Sequence, residues 1–169
     1  MSSRTNAMTL SLGTNIFIYG DLTSGSGTTY SSSTTLTFSG RNTQTITSAG
    51  KTLGIITIDS YGGTVQLADA LNIGTSTLTI TNGTFNTQNY NVTASSLSSS
   101  NANVRTINLG SSTVSLSGIA PINFTTSTNL TFNCGTSSIT SNYSAGATFQ
   151  TGGQTFYDIT QAGAAASPI

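Results

Sequence analysis

Apolar residues in this chain recur at alternate positions from one end to the other. Written by their inward pairs, the candidate strands are Leu10/Leu12, Ile16/Ile18, Leu36/Phe38, Ile56/Ile58, Val65/Leu67 and Leu78/Ile80. The series continues with Tyr90/Val92, Ile107/Leu109, Val114/Leu116, Ile122/Phe124, Leu130/Phe132 and Phe156/Ile159. Alternation is the period of a half-buried strand, and no segment carries the period of a helix. Thr and Ser fill most of the positions between, Thr with a strand propensity of its own. Glycine clusters at Gly25 to Gly27, Gly62-Gly63 and Gly152-Gly153 mark turns. The pattern predicts an all-β fold with helix confined to a turn or two. It also predicts burial of Leu78, Ile80, Leu109, Leu116, Leu130 and Phe132.

Strand starts lie roughly 7 to 10 residues apart, which suits an antiparallel β-sandwich or jelly roll as well as a parallel β-helix or β-solenoid. Two internal echoes favour repetition. Leu36-Thr37-Phe38-Ser39-Gly40 followed by Ile46-Thr47-Ser48 matches Leu130-Thr131-Phe132-Asn133-Cys134-Gly135 followed by Ile139-Thr140-Ser141. Asn89-Tyr90-Asn91-Val92-Thr93 matches Gln154-Thr155-Phe156-Tyr157-Asp158-Ile159-Thr160.

Composition strengthens the solenoid reading. Of the 169 residues, 94 are Ser, Thr, Asn or Gly, while charged residues make up 5%. Stacked coils place like residues one above another at about 4.8 Å. Stacked charges repel, whereas Thr, Ser and Asn bond to their own kind. A sandwich has no equivalent reason to exclude Lys and Glu from its surface. At roughly 20 to 29 residues per coil, the chain makes about 6 to 8 coils and a rod of roughly 30 to 40 Å. The expected division is a solenoid-like domain over 36–169, preceded by a capping or attachment segment over 1–35.

Several stretches resemble known β-solenoids. Thr84-Phe85-Asn86-Thr87-Gln88-Asn89-Tyr90-Asn91-Val92-Thr93 resembles the G-T-L-x-x-x-x-x-x-L-T-V coil of filamentous-haemagglutinin-like and tail-fibre-like repeats. Residues 103–113, Asn-Val-Arg-Thr-Ile-Asn-Leu-Gly-Ser-Ser-Thr, are similar to a stretch of large bacteriophage structural proteins, as is Asn129-Leu130-Thr131-Phe132-Asn133-Cys134-Gly135-Thr136-Ser137. The similarity spans about residues 36 to 160 and lies in texture more than in invariant positions. It implies stacked β-coils in a virion tail fibre, a capsid decoration or a bacterial surface adhesin. The expected role is therefore that of a non-enzymatic structural protein of a virion, with an adhesin or extracellular filament subunit as the alternative. The expected location is the virion, alternatively the cell surface or extracellular space.

The residues themselves leave little for catalysis. Histidine and glutamate are absent, which removes the commonest general acids and bases and any Ser-His-Asp or Cys-His arrangement. Paired carboxylates would have to come from Asp21, Asp59, Asp69 and Asp158, which lie far apart in sequence. The expectation is no catalytic, cofactor-binding or metal site and no cofactor. Arg4, Arg41, Lys51 and Arg105 are too few and too scattered for a nucleic-acid groove. No apolar segment approaches a membrane span, and none follows the N-terminus as a signal peptide would.

Cys134 stands alone and reads as a small core residue beside Phe132. The sequons at Asn82, Asn91, Asn123, Asn129 and Asn142 follow from composition. Tyr19, Tyr30, Tyr61, Tyr143 and Tyr157 read as strand packing, with stacking on sugars of a surface glycan receptor as the functional alternative. Thr-x-Thr pairs at Thr35/Thr37, Thr45/Thr47, Thr77/Thr79 and Thr79/Thr81 raise an ice-binding solenoid, against which stands their irregular spacing. Near-zero net charge adds little repulsion between copies. Gly163 to Ile169 is too small for a folded cap, so open coil ends are expected to bind further copies or other virion or filament subunits.

Overall fold

The computed structural model describes residues 8–10, 15–25, 27–30, 33–144 and 146–162. Among them there is no helix, and the strands stack in parallel as a β-solenoid of about seven turns. Each turn follows three faces in a fixed order. The first face carries Ile16–Ile18, Thr35–Phe38, the first part of Ile55–Leu67, the first part of Thr77–Asn86, Ser96–Ser98 and Ile122–Asn123. The second carries Leu22–Thr23, Thr43–Thr47, the ends of the same two long strands, Arg105–Asn108 and Leu130–Asn133. The third carries Met8–Leu10, Thr28–Tyr30, Leu71–Asn72, Val92–Ala94, Thr113–Leu116, Ser138–Ser141 and Asp158–Gln161. No antiparallel pairing joins the described strands, so the sandwich and jelly-roll alternatives fall.

Parallel, in-register pairing turns the sequence alternation into columns. On the first face Ile16, Leu36, Ile56, Leu78, Leu97 and Ile122 stack inward in that order. On the third, Leu71, Val92, Val114, Ile139 and Ile159 do the same. Strand partners on adjacent coils lie 19 to 25 residues apart, and the isolated bridge Asn123–Gln150 spans 27, the turns absorbing the difference. Each inner column is apolar because every coil contributes a residue at the same height, and full burial of one aliphatic side chain contributes about 1.5–3 kcal/mol.

Leu78, Ile80, Leu109 and Leu116 are fully buried, as the alternation predicts, whereas Leu130 and Phe132 are only half-buried. Half-buried apolar residues gather toward the two ends of the stack: Ile16, Ile18 and Tyr30 at one, Phe132, Phe149, Phe156 and Ile159 at the other. Phe132 and Phe156 pack at 4.8 Å between ring centroids, tilted against one another.

Several expectations require correction. Tyr90 is not an inward strand residue. It follows Gln88 and Asn89, both at positive φ, and stands exposed at the end of a turn. Inward pairs that the alternation missed include Gln44/Ile46 and Leu71/Ile73. The longer echo joins different faces: Leu36 lies on the first and Leu130 on the second, so it is no coil equivalence. The shorter echo does coincide in space, since Val92 and Ile159 share a column. Strands Ile16–Ile18 and Leu22–Thr23, within the segment over 1–35, pair in register with the next coil, an arrangement that does not bear on a capping or attachment role. Leu12 and residues 163–169 lie outside the described residues.

The corner between the first and second faces needs glycine. Gly83 has φ of 80°, in the left-handed region, and an added Cβ would run into the Ser60 carbonyl oxygen of the preceding coil. Backbone on both sides is tied into ladders, so relief must come from coil separation. Gly83→Ala is expected to lower stability by at least about 1–2 kcal/mol in chemical denaturation, while Gly20→Ala, which meets no neighbouring atom, should change it far less.

Candidate functional site

The first corner is where strand pairing is interrupted, and polar side chains take over inside it. Gln44 donates from Nε2 to the carbonyls of Ile18 at 2.9 Å and Gly20 at 2.8 Å, while its Oε1 accepts from the Gly40 N–H at 2.8 Å. Ser60 donates to the Phe38 carbonyl, and Ser99 to that of Ile80, each at 3.0 Å. These bonds fasten consecutive coils where backbone geometry alone leaves carbonyls facing inward.

Arg105 is the largest such fastener. It occupies the inward position level with Gly83 on one side and Leu130 on the other, and it is buried. Its guanidinium meets no carboxylate among the described residues. Nε donates to the Ser99 hydroxyl at 2.8 Å, one terminal nitrogen to the carbonyls of Asn103 and Thr128 at 2.6 Å, and the other to those of Ser99 and Thr126 at 2.9 and 2.7 Å. Burial lowers its pKa from the ordinary guanidinium value by removing water from the charged form. Five donors directed at five oxygens offset that cost, and guanidinium geometry provides five where Lys has three.

Outside the same corner, successive coils contribute Tyr19, Arg41, Tyr61 and Val104, and the coil between the last two contributes Gly83, which is level with Arg105. The Arg41 guanidinium lies 5.9 Å from the centroid of the Tyr61 ring. Tyr61 is 72% exposed and Val104 75% exposed. An open notch of about 300 Å³ is lined by Tyr61, Gly62, Gly63, Gly83, Thr84 and Val104, with Thr106 and Arg105 alongside. The threonines belong to an outward column on the second face, Thr43, Thr64, Thr84, Thr106 and Thr131.

The remaining candidates are dispersed. Asp21 accepts from the Thr45 N–H, Asp59 from Asn82, Asp69 from the Ser48 and Ala49 N–H groups, and Asp158 from Ser138. Each carboxylate thus binds its own partner on a neighbouring coil. Among the described residues no three Asp, Glu, His or Cys side chains gather as metal ligands. Cys134 is half-buried rather than a core residue. Asparagines bracket coils: the Asn89 and Asn91 side chains accept from the N–H groups of Ser111 and Thr113, each at 2.9 Å. Of the tyrosines expected to pack within strands, Tyr19, Tyr61 and Tyr157 are exposed instead, while Tyr30 and Tyr143 are half-buried.

The Thr-x-Thr pairs are more regular in space than in sequence. Thr35/Thr37 and Thr77/Thr79 share the first face two coils apart, with Ile55/Thr57 between them and Ser96/Ser98 beyond. Thr45/Thr47 belongs to the second face. Alternation alone does not distinguish Arg105 from the surface cations or Tyr61 from a packed tyrosine. The glycine pair that follows Tyr61 is the one sequence signal of its corner.

Comparison with protein-family models, with curated proteins and with solved structures finds no match to this chain.

Replacing Arg105 with Leu, the residue one coil below it, keeps the column apolar but strips donors from four carbonyls and a hydroxyl. The expected loss is more than about 2 kcal/mol. Arg105→Lys should recover only part of it. Arg41→Leu, at an exposed position, should stay within about 0.5 kcal/mol of the parent in the same denaturation assay.

Proposed function

We propose that this protein is a non-enzymatic structural segment of a larger fibrous or capsid-bound assembly, of the virion tail-fibre or decoration type. The observation that carries the reading is the contrast between the coils. Middle coils bury their apolar columns fully, whereas those at both ends leave Ile16, Ile18, Phe132, Phe149, Phe156 and Ile159 partly uncovered. An exposed coil end offers a further chain both apolar surface and unpaired backbone groups. Scarcity of charge supports the same reading, since little repulsion opposes contact between copies. The resemblance of residues 103–113 and 129–137 to bacteriophage structural proteins is what favours a virion over a bacterial filament, where the protein would serve as an adhesin or subunit; residues 84–93 resemble both kinds of repeat.

A second reading rests on the first face. Its outward hydroxyls and methyls form two adjacent columns, with coil spacing of about 4.8 Å in one direction and two strand residues, about 6.7 Å, in the other. Such a regular array is a surface for ordering water, and Thr35, Ile55/Thr57 and Thr77/Thr79 supply it over three consecutive coils, Thr37 being buried.

Two measurements separate these readings. Light scattering on the isolated protein should show oligomers growing with concentration, through an interface above roughly 1,000 Å². A monodisperse monomer at high concentration would count against assembly. Purified protein should give no thermal hysteresis if the first reading holds. Hysteresis that disappears in Thr57→Lys would instead establish the ice-facing role.

A further inference from the structure

We propose that Asn82-Gly83 is a self-modifying site. It is silent while the first corner is closed, converts to aspartate or isoaspartate when the corner opens, and then keeps the corner from closing again. The site lies in the middle of the rod and does not depend on the assembly reading.

Asn followed directly by Gly occurs once in the chain. A glycine carries no side chain to shield its backbone nitrogen, so that nitrogen can approach the preceding side chain. The chemistry needs only water. Gly83 N attacks Asn82 Cγ, the new N–Cγ bond forms, and the Cγ–Nδ2 bond breaks. Nδ2 leaves as ammonia with the proton that Gly83 N gives up. Water then opens the resulting cyclic imide at one carbonyl or the other, which yields aspartate or isoaspartate.

The closed corner keeps the reacting groups apart. The Gly83 N–H donates to the Val104 carbonyl of the following coil at 3.2 Å. Asn82 Nδ2 donates to Asp59 Oδ1 of the preceding coil at 2.5 Å. The attacking and the leaving nitrogen are thus tied to opposite neighbours, and ring closure requires that both be released. They sit where release is easiest. The two long strands pair in register as far as Ile58 and Ile80, shift at Asp59 and Asn82, and resume at Thr64 and Thr84. Opening at such an irregularity breaks fewer ladder bonds than opening in mid-strand.

The same contact makes the change one-way. Asn82 supplies the donor and Asp59 the acceptor, and either product replaces that amide with a second carboxylate. The donor is lost, and two negative charges face one another across the ladder. Arg105, level with Gly83, has no donor left to neutralise them, since all five are engaged with oxygens. Isoaspartate also adds a methylene to the main chain beside Gly83, where even an added Cβ would meet the Ser60 carbonyl.

The test is peptide mapping by mass spectrometry of the full chain, kept folded or in denaturant at the same mildly alkaline pH. The mass gain of amide-to-acid conversion at Asn82 should accumulate at least about tenfold more slowly in the folded chain, because reaction waits on opening. Asn82→Gln keeps an amide on a longer side chain and should suppress the gain in denaturant. Asn82→Asp reproduces the product and should lower the folded-to-unfolded ratio about tenfold or more at neutral pH. Adding Asp59→Asn to that variant exchanges donor and acceptor of one hydrogen bond and should restore most of the loss, even if the single variant fails to fold. Equal rates of conversion in folded and denatured chain would overturn the proposal. So would an Asn82→Asp variant as stable as the parent, or a double variant no better than the single one.

Discussion

Parallel hydrogen bonding between successive coils is the interaction on which this protein depends. Each strand satisfies its backbone by pairing with the coil above and the coil below, so register is shared along the stack. A slip of one residue would turn a whole inner row to the outside. Once register is common, side chains follow in columns, and each column must tolerate its own kind. Inside, Leu, Ile, Val and Phe do so by excluding water. Outside, Thr, Ser and Asn do so by being small, uncharged and able to bond to each other, as the Asn133 side chain does to that of Asn108 at 2.7 Å. Absence of glutamate and near absence of lysine then follow from stacking, because a charge repeated at coil spacing would repel its neighbours.

Corners are the price of winding a strand around three faces. Ladders break there, and carbonyl oxygens turn inward without partners. Gln44, Ser60, Ser99 and Arg105 supply donors from within the coil, each reaching a carbonyl on an adjacent turn or its own. The four aspartates and several asparagines perform the matching task from outside, accepting from N–H groups or side chains one coil away. Polar side chains that in many folds would form a reactive cluster are consumed here, one by one, in holding the coils together.

The notch arises from the same economy. Gly83 is imposed by the closeness of the Ser60 carbonyl, and the corner it forms lies between the exposed Tyr61 and Val104. A constraint of coil packing thus produces a recess on the outside, with Arg41 steadying one wall. The rod presents two kinds of surface: end coils with partly covered apolar residues, and a long flank on which a local interruption makes a concave site.

Much of the architecture was determined by the sequence alone. Period-2 alternation required strands, and the coincidence of abundant Thr, Ser and Asn with scarce charge pointed to columns of like residues. Those are local and compositional properties, and they survive without knowledge of turn lengths. Which face a strand occupies is not local. Coil length varies between turns, so Leu36 and Leu130, similar in sequence, come to rest on different faces, while Thr35/Thr37 and Thr77/Thr79 come to share one. Polar residues are harder still, because alternation marks apolar positions only. Gln44 and Arg105 point inward and look, in sequence, like any surface residue, and Tyr61 looks like a packed one. Their places were decided by tertiary structure, since only the stacked coils create the inward-facing carbonyls that draw a guanidinium into the corner and the turn at which a ring stands exposed.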